Sequence, residues 1–209
     1  MRRSPTLSAI KELNKRIFTT GQLSTISGRS LSAVTQSLNS LTNDGIISKI
    51  YRGIWAREGA GAIGSYDIIP YLFPKHRAYV SFISALHLHG IIEQIPQVTT
   101  LASTAHGRII STKVGVFRVH RINPSFFAGF DWYKENGSFL IAEPEKALVD
   151  SLYLSAYKKK YFGHFPELHL PKDFSIRKVR AWVSRIASRN VRTYVAKRVE
   201  EVLATGKSA

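Results

Sequence analysis

Four side chains able to donate and accept hydrogen bonds, Ser32, Thr35, Gln36 and Asn39, follow one another at spacings of three, one and three. On a helix of 3.6 residues per turn they share a face. Gln and Asn each offer a donor beside an acceptor, the pattern that pairs with the adenine edge in a major groove, while Ser and Thr are short enough for close approach. Acids on that face would be repelled by phosphates, and the first one met is Asp44, at the far end. Arg29 and Ser30 stand just before this stretch, and Lys49, Tyr51 and Arg52 stand just after it. These nine residues are the candidate set for contact with double-stranded DNA: amides and hydroxyls for base edges, cations for phosphates.

Other spacings suggest chemistry less well. His87 and His89 are two apart, so on a helix they point to different sides and cannot chelate one ion together. Glu143 and Glu145 flank Pro144 at the start of a helical pattern, where carboxylates are stabilised by the helix dipole, and no partner nucleophile accompanies them. Residues 58–64, EGAGAIG, are glycine-rich but lack the Gly-Lys-Ser/Thr of a phosphate loop. There is no cysteine, which excludes disulfides and thiolate zinc sites. No catalytic, cofactor-binding or metal-binding residue is nominated, and the chain is not expected to be an enzyme.

The elements that must position the nine residues are legible on either side of them. FTTGQLSTISG, residues 18–28, predicts a short helix capped by Thr19 or Thr20, with Leu23 and Ile26 inward and Gly28 in the left-handed position after its end. Ser30 caps a second helix running to about Asn43, whose Leu31, Val34, Leu38 and Leu41 form an apolar stripe opposite the polar face. Residues 46–50 and 54–57 read as two strands joined by a turn at 51–53, with Arg52 at its tip. Upstream, Pro5 suits a first helical turn, and Ala9, Ile10, Leu13 and Ile17 make the stripe of a supporting helix. Arg2 and Arg3 lie just outside it. This is the plan of a winged helix-turn-helix.

Composition bounds the rest. The 209 residues carry 30 Lys and Arg against 14 Asp and Glu, a formal net charge of +16, and 44% are hydrophobic. A protein this basic commonly meets polyanions. The first 57 residues hold nine of the cations and two of the acids, and residues 172–198 hold nine cations and one acid. No run approaches a membrane span and no signal peptide is evident, so a soluble cytoplasmic protein is expected.

The glycine-rich stretch predicts a linker at 59–65, dividing a DNA-binding domain, 1–58, from a second domain, 66–209. In that second part, residues 78–90 read as a helix capped by Ser81, with Phe82, Ala85, Leu86 and His89 sharing a face. Strands are expected at 97–103, 108–111, 114–120 and 138–142, then a strong helix from 142 to 157 with Glu145, Lys146 and Asp150 on its outer faces. Lys158, Lys159 and Lys160 form a basic run beside Tyr161 and Phe162. The tail predicts a helix from Ser175 with Ile176, Val179, Val183 and Ile186 buried, then a second helix with Val191, Tyr194, Val195, Val199 and Val202. Lys178, Arg185, Arg189 and Arg192 follow another stripe, a basic partner surface. The fold class is therefore α+β: an N-terminal winged helix-turn-helix, then a mixed α+β domain with a small sheet and a basic helical C-terminus.

Three stretches in this order, GIISKIYRGIW at 45–55, AYVSFISALHLHGIIEQIP at 78–96 and IAEPEKALVDSLY at 141–153, resemble the AbiEi family, the antitoxins of type IV toxin–antitoxin pairs. The resemblance covers nearly the whole chain. It implies an N-terminal domain that represses its own operon at promoter inverted repeats, and a C-terminal domain that counteracts a nucleotidyltransferase-like toxin without a stable complex. It carries over no catalytic residues, and no membrane partner. The reading from another class is an RNA- or protein-binding module that acts through the basic C-terminal helices, without operator recognition.

Overall fold

The computed structural model describes residues 5–59, 61–135, 138–157 and 166–205. Arg2, Arg3 and the run Lys158–Lys160 with Tyr161 and Phe162 lie outside the described residues. The chain is mixed α+β, with eight α-helices and two sheets among those residues. No helix among them is long and apolar enough to cross a membrane. Two compact units divide the chain, Met1–Pro74 with Ser111–Gly115, and Lys75–Ile110 with Val116–Ala209.

The first unit runs α1 (Pro5–Leu13), β1 (Ile17–Thr19), α2 (Thr20–Ser27), α3 (Leu31–Asn43), β2 (Ile47–Tyr51) and β3 (Ile54–Arg57). Its three strands are antiparallel in the order β1-β3-β2. Thr19 accepts from the Gln22 amide while the Gln22 side chain accepts from the Thr19 amide, a reciprocal cap that starts α2. Gly28, at φ 65°, ends it in the left-handed conformation. Ser30 accepts from the Ala33 amide and starts α3. One core holds Ala9, Ile10, Phe18, Leu23, Val34, Leu38, Leu41, Ile47 and Trp55. Burying each of the larger of these stabilises by roughly 1.5–3 kcal/mol relative to exposure. The Trp55 ring N–H donates to the Thr20 hydroxyl at 2.9 Å inside that core, tying β3 to the start of α2.

Ile17 does not extend the stripe of α1. That helix stops at Leu13, Asn14 turns left-handed at φ 45°, and Ile17 pairs with Ala56 as the start of β1. Leu31 also departs from its expected place and is 58% exposed. As the first residue of α3 it lies beyond the reach of the core that Val34, Leu38 and Leu41 fill.

The residues 59–65 were expected to link two domains, yet the first compact unit runs on to Pro74. Arg16 donates to the Ala62 carbonyl at 2.6 Å, and Asp67 accepts from the Gly64 amide at 2.9 Å. A 3-10 turn, Tyr66–Ile68, and α4 (Ile69–Leu72) then bury Ile68, Ile69 and Leu72.

The second unit is built on a six-stranded sheet in the order β6-β7-β5-β4-β9-β8. Its strands are β4 (Ala78–Val80), β5 (Thr99–Ser103), β6 (Arg108–Thr112), β7 (Gly115–Arg121), β8 (Phe130–Trp132) and β9 (Leu140–Ala142). β4 is central, antiparallel to β5 and parallel to β9, and all three of its residues are buried. Residues 78–80 are thus strand, not the first turn of a helix, and α5 (Phe82–Leu88) begins only after them. Ser81 stands at the N-cap position without capping, because its hydroxyl donates to Asp150 at 2.8 Å. Thr100 of β5 supplies the cap instead, accepting from the Ser84 amide and donating to the Ser81 carbonyl. His89 sits with one ring nitrogen 2.7 Å from the Ala142 carbonyl.

α6 (Pro144–Tyr157) is the centre of the helical layer and packs against α5, α7 (Ile176–Ser184) and α8 (Arg189–Thr205). Every residue from Glu145 to Ser155 is buried. A helix enclosed all round has no outer face, so Glu145, Lys146 and Asp150 do not decorate one as expected.

Candidate nucleic-acid interface

The polar face of α3 is laid out by its opposite side. Val34, Leu38 and Leu41 anchor the helix in the core, which turns Ser32, Gln36, Asn39 and Ser40 outward, all exposed. Gln36 and Asn39 make no hydrogen bond to another described residue, so both amides keep their full donor and acceptor capacity. Thr35 is half-buried and its hydroxyl donates back to the Leu31 carbonyl at 2.7 Å, leaving its oxygen to accept. Ser30 is engaged as the helix cap and lies 3.1 Å from the Ser32 hydroxyl. Leu31, exposed at the N-terminal edge of the ridge, adds an apolar group that the stripe pattern had assigned to the core. Its place directly after the cap residue was the available signal.

The hairpin β2–β3 carries the cations. Its connection is the pair Arg52-Gly53, with Gly53 at φ 73°, and Tyr51 pairs across it with Ile54. A register shift between Lys49 and Tyr51 leaves an extra residue on β2, a bulge that strengthens the local twist. Lys49 Nζ sits 5.4 Å from the centroid of the Trp55 ring, and Tyr51 and Arg52 are exposed.

Arg29 stands apart from this set. It is half-buried, and one guanidinium nitrogen donates to the Ser37 hydroxyl at 3.1 Å and, at the limit of 3.5 Å, to the Thr6 hydroxyl. Its carbonyl accepts from Ser24 at 2.6 Å. It connects α1, α2 and α3, so its guanidinium is held within the fold.

The four cations of the tail do not form one free stripe. Lys178 Nζ lies 3.9 Å from a Glu143 carboxylate oxygen, and the Arg185 guanidinium lies 4.5 Å over the Trp182 ring. Arg192 is half-buried and donates to the Ile186 carbonyl at 3.0 Å, closing the α7–α8 turn. Arg189 is exposed at the start of α8. Nearby, Glu200 pairs with Arg180, and Glu201 with Arg198 and Lys197. Helical periodicity places these cations on one strip, whereas side-chain reach brings a carboxylate to Lys178, a ring to Arg185 and a carbonyl to Arg192.

The charged residues of α6 form an internal network. Lys146 Nζ donates to Asp150 Oδ1 and, at 3.2 Å, to the Tyr79 hydroxyl oxygen. Asp150 Oδ2 accepts from Tyr79 at 2.9 Å and from Ser81 at 2.8 Å. Neither Lys146 nor Asp150 is exposed to solvent. The Lys146 ammonium also lies 4.0 Å from the Phe126 ring centroid and 5.4 Å from that of Trp182. Burial pushes the Lys146 pKa down, opposed by the Asp150 charge, and pushes the Tyr79 hydroxyl well up. Glu145 accepts from the Ser175 amide at 2.9 Å ahead of α7, so it serves that helix more than its own. Among the described residues no group of three or more His, Asp or Glu is arranged to hold a metal ion.

No family model matches this chain, and no curated protein matches it in sequence.

Proposed function

We propose that the first unit is a winged helix-turn-helix that binds double-stranded DNA, with α3 in the major groove and the β2–β3 hairpin as the wing. The carrying observation is the paired exposure of Gln36 and Asn39 on a helix without a single acid, seated on Val34, Leu38 and Leu41. Bidentate amide contacts to adenine suit that ridge, and Leu31 beside it suits a thymine methyl. Arg52 and Lys49 on the wing suit phosphates.

The family resemblance extends this reading to a transcriptional autorepressor that binds promoter inverted repeats, and to an antitoxin that counteracts a nucleotidyltransferase-like toxin without a stable complex. The alternative, an RNA- or protein-binding module acting through the C-terminal helices, is weakened because Arg192 is spent on the α7–α8 turn and Lys178 faces Glu143.

A band-shift series tests the first reading. The whole protein is titrated against its own upstream DNA, scrambled duplex and structured RNA. Preference for the upstream DNA is expected, and equal affinity for all three overturns it. Co-expression with a cognate nucleotidyltransferase-like toxin tests the second: growth restored by this chain is expected, and unrelieved toxicity removes the antitoxin assignment.

A further inference from the structure

The turn joining β6 to β7, Ser111–Gly115, belongs to the first compact unit together with the wing. Its own groups set its shape. The Thr112 hydroxyl donates to the Gly115 carbonyl at 2.8 Å and accepts from the Val114 amide at 3.2 Å, closing the turn on itself. The turn is seated on the unit at two points. At one, the Lys113 amide donates to the Ile50 carbonyl at 3.2 Å. At the other, Gly115, at φ 151°, comes so near Ser65 that a Cβ added to it would lie 3.1 Å from the Ser65 Cβ. Glycine permits both that conformation and that approach.

The contact with Ile50 falls where the wing has a backbone group to spare. β2 is the outer strand of its sheet. Ile50 is the residue that the bulge leaves without a partner on β3, between the pairs Lys49–Trp55 and Tyr51–Ile54. An outer strand presents unpaired amides and carbonyls, and Lys113 takes one of these. Its backbone therefore lies against the residue that directly precedes Tyr51 and Arg52. Lys113 is exposed, and it makes no ion pair among the described residues. No Asp or Glu occurs from 45 to 57 or from 94 to 130, so neither segment brings a carboxylate to the place where they meet.

We propose that this turn is a second lobe of the wing and that Lys113 contacts a phosphate of the duplex beside the one met by Arg52. The inference rests on the winged-helix reading above and extends its footprint to a residue distant in sequence. A compact ammonium on a flexible four-carbon stem suits a phosphate, which it meets as a point charge. Such a contact positions the protein on the duplex without reading its sequence.

The test uses the full-length protein with upstream and scrambled duplex over a salt series. Lys113→Gln keeps the amide that bonds Ile50, so the unfolding midpoint should hold while the salt slope falls by about 0.9 on both duplexes. Lys113→Arg should keep the slope. Lys113→Gln combined with Arg52→Ala should lower it by about 1.8. Lys172→Gln removes an exposed cation of the second unit and should leave the slope unchanged, which separates a contact from a general loss of charge. An unchanged slope in Lys113→Gln, with Arg52→Ala still lowering it, overturns the second lobe and leaves the winged-helix reading standing. An equal fall in Lys172→Gln overturns it as well, and so does a loss confined to the upstream duplex. A wild-type protein that binds upstream DNA no better than scrambled duplex or structured RNA defeats the underlying reading, and this inference with it.

Discussion

The Arg29 guanidinium donates to the Ser37 hydroxyl at 3.1 Å, so the residue before the α3 cap is fastened to the second turn of α3 itself. Arg29→Ala should therefore lower unfolding free energy by about 1.5–3 kcal/mol, the net worth of a hydrogen bond to a charged group. The salt dependence of duplex binding should not change. Arg52→Ala should do the reverse, leaving stability within about 0.5 kcal/mol and lowering the salt slope by about 0.9. Chemical denaturation and band shifts over a salt series check both, and a lower salt slope in Arg29→Ala would return that residue to the interface.

Gln36→Ala and Asn39→Ala should cost discrimination rather than general affinity. Each is expected to narrow the gap between upstream and scrambled DNA by about 1–3 kcal/mol if its amide makes a bidentate base contact. Leu31→Ala should narrow it by less, because an apolar contact to a thymine methyl lacks hydrogen-bond geometry. Competition binding on the two duplexes measures the gap directly, and a uniform loss on both sequences would count against base reading.

Removing either member of the Lys146–Asp150 pair should destabilise, but unequally. Without Lys146, Asp150 still accepts from Tyr79 and Ser81. Without Asp150, Lys146 keeps one hydrogen-bond acceptor, the Tyr79 oxygen, beside the Phe126 and Trp182 rings. Asp150→Ala should cost about 3–5 kcal/mol, the scale for stranding a buried charge, and Lys146→Met distinctly less. Urea unfolding of both variants checks the order, and equal costs would refute the network as drawn.

Stability should fall at alkaline pH through Tyr79. Burial first, then the charge and hydrogen bond of Asp150, hold its folded pKa above the ordinary 10.0. The folded state then binds more protons than the unfolded one above pH 10.0, so the stabilisation is full below that value and is lost as pH rises through the folded pKa. Lys146, shifted down from 10.5, acts with the opposite sign below that value. Tyr79→Phe should decline less steeply above pH 10.0 in denaturant midpoints measured across that range. An unchanged slope would remove Tyr79 as the cause.

Gly129 is left-handed at φ 77°, and a Cβ built there would lie 2.3 Å from the Trp182 ring. Gly129→Ala should cost about 1–3 kcal/mol from overpacking, with further strain from the backbone conformation. Tryptophan fluorescence should shift with it, because the ring must leave its place beside Phe126. Wild-type stability and emission together would show the site to be more yielding than its geometry.

Local patterns carried the first unit far. Thr19, Gly28 and Ser30 occupy the cap positions their chemistry prefers, and Val34, Leu38 and Leu41 bury as their spacing requires. Such features depend on neighbours within one or two turns. Ile17 departs from the α1 stripe because a β-branched residue in phase with a preceding helix looks the same whether the chain continues or pairs with a distant strand. Residues 78–80 read as the start of a helix in sequence because a short apolar run has no period of its own; pairing with β5 and β9 makes them a strand.

Charge marks the boundary most clearly. The chain by itself determined an excess of cations, an acid-free polar face on α3 and the absence of cysteine, since these are properties of composition and helical phase. Which charges remain available was decided only by tertiary structure. Arg29 and Arg192 are held by hydroxyl and carbonyl acceptors, and Lys146 and Asp150 are sealed together. The physical reason is distance: electrostatic and hydrogen-bond energies are set over a few ångströms in space, and separation along the chain does not encode them.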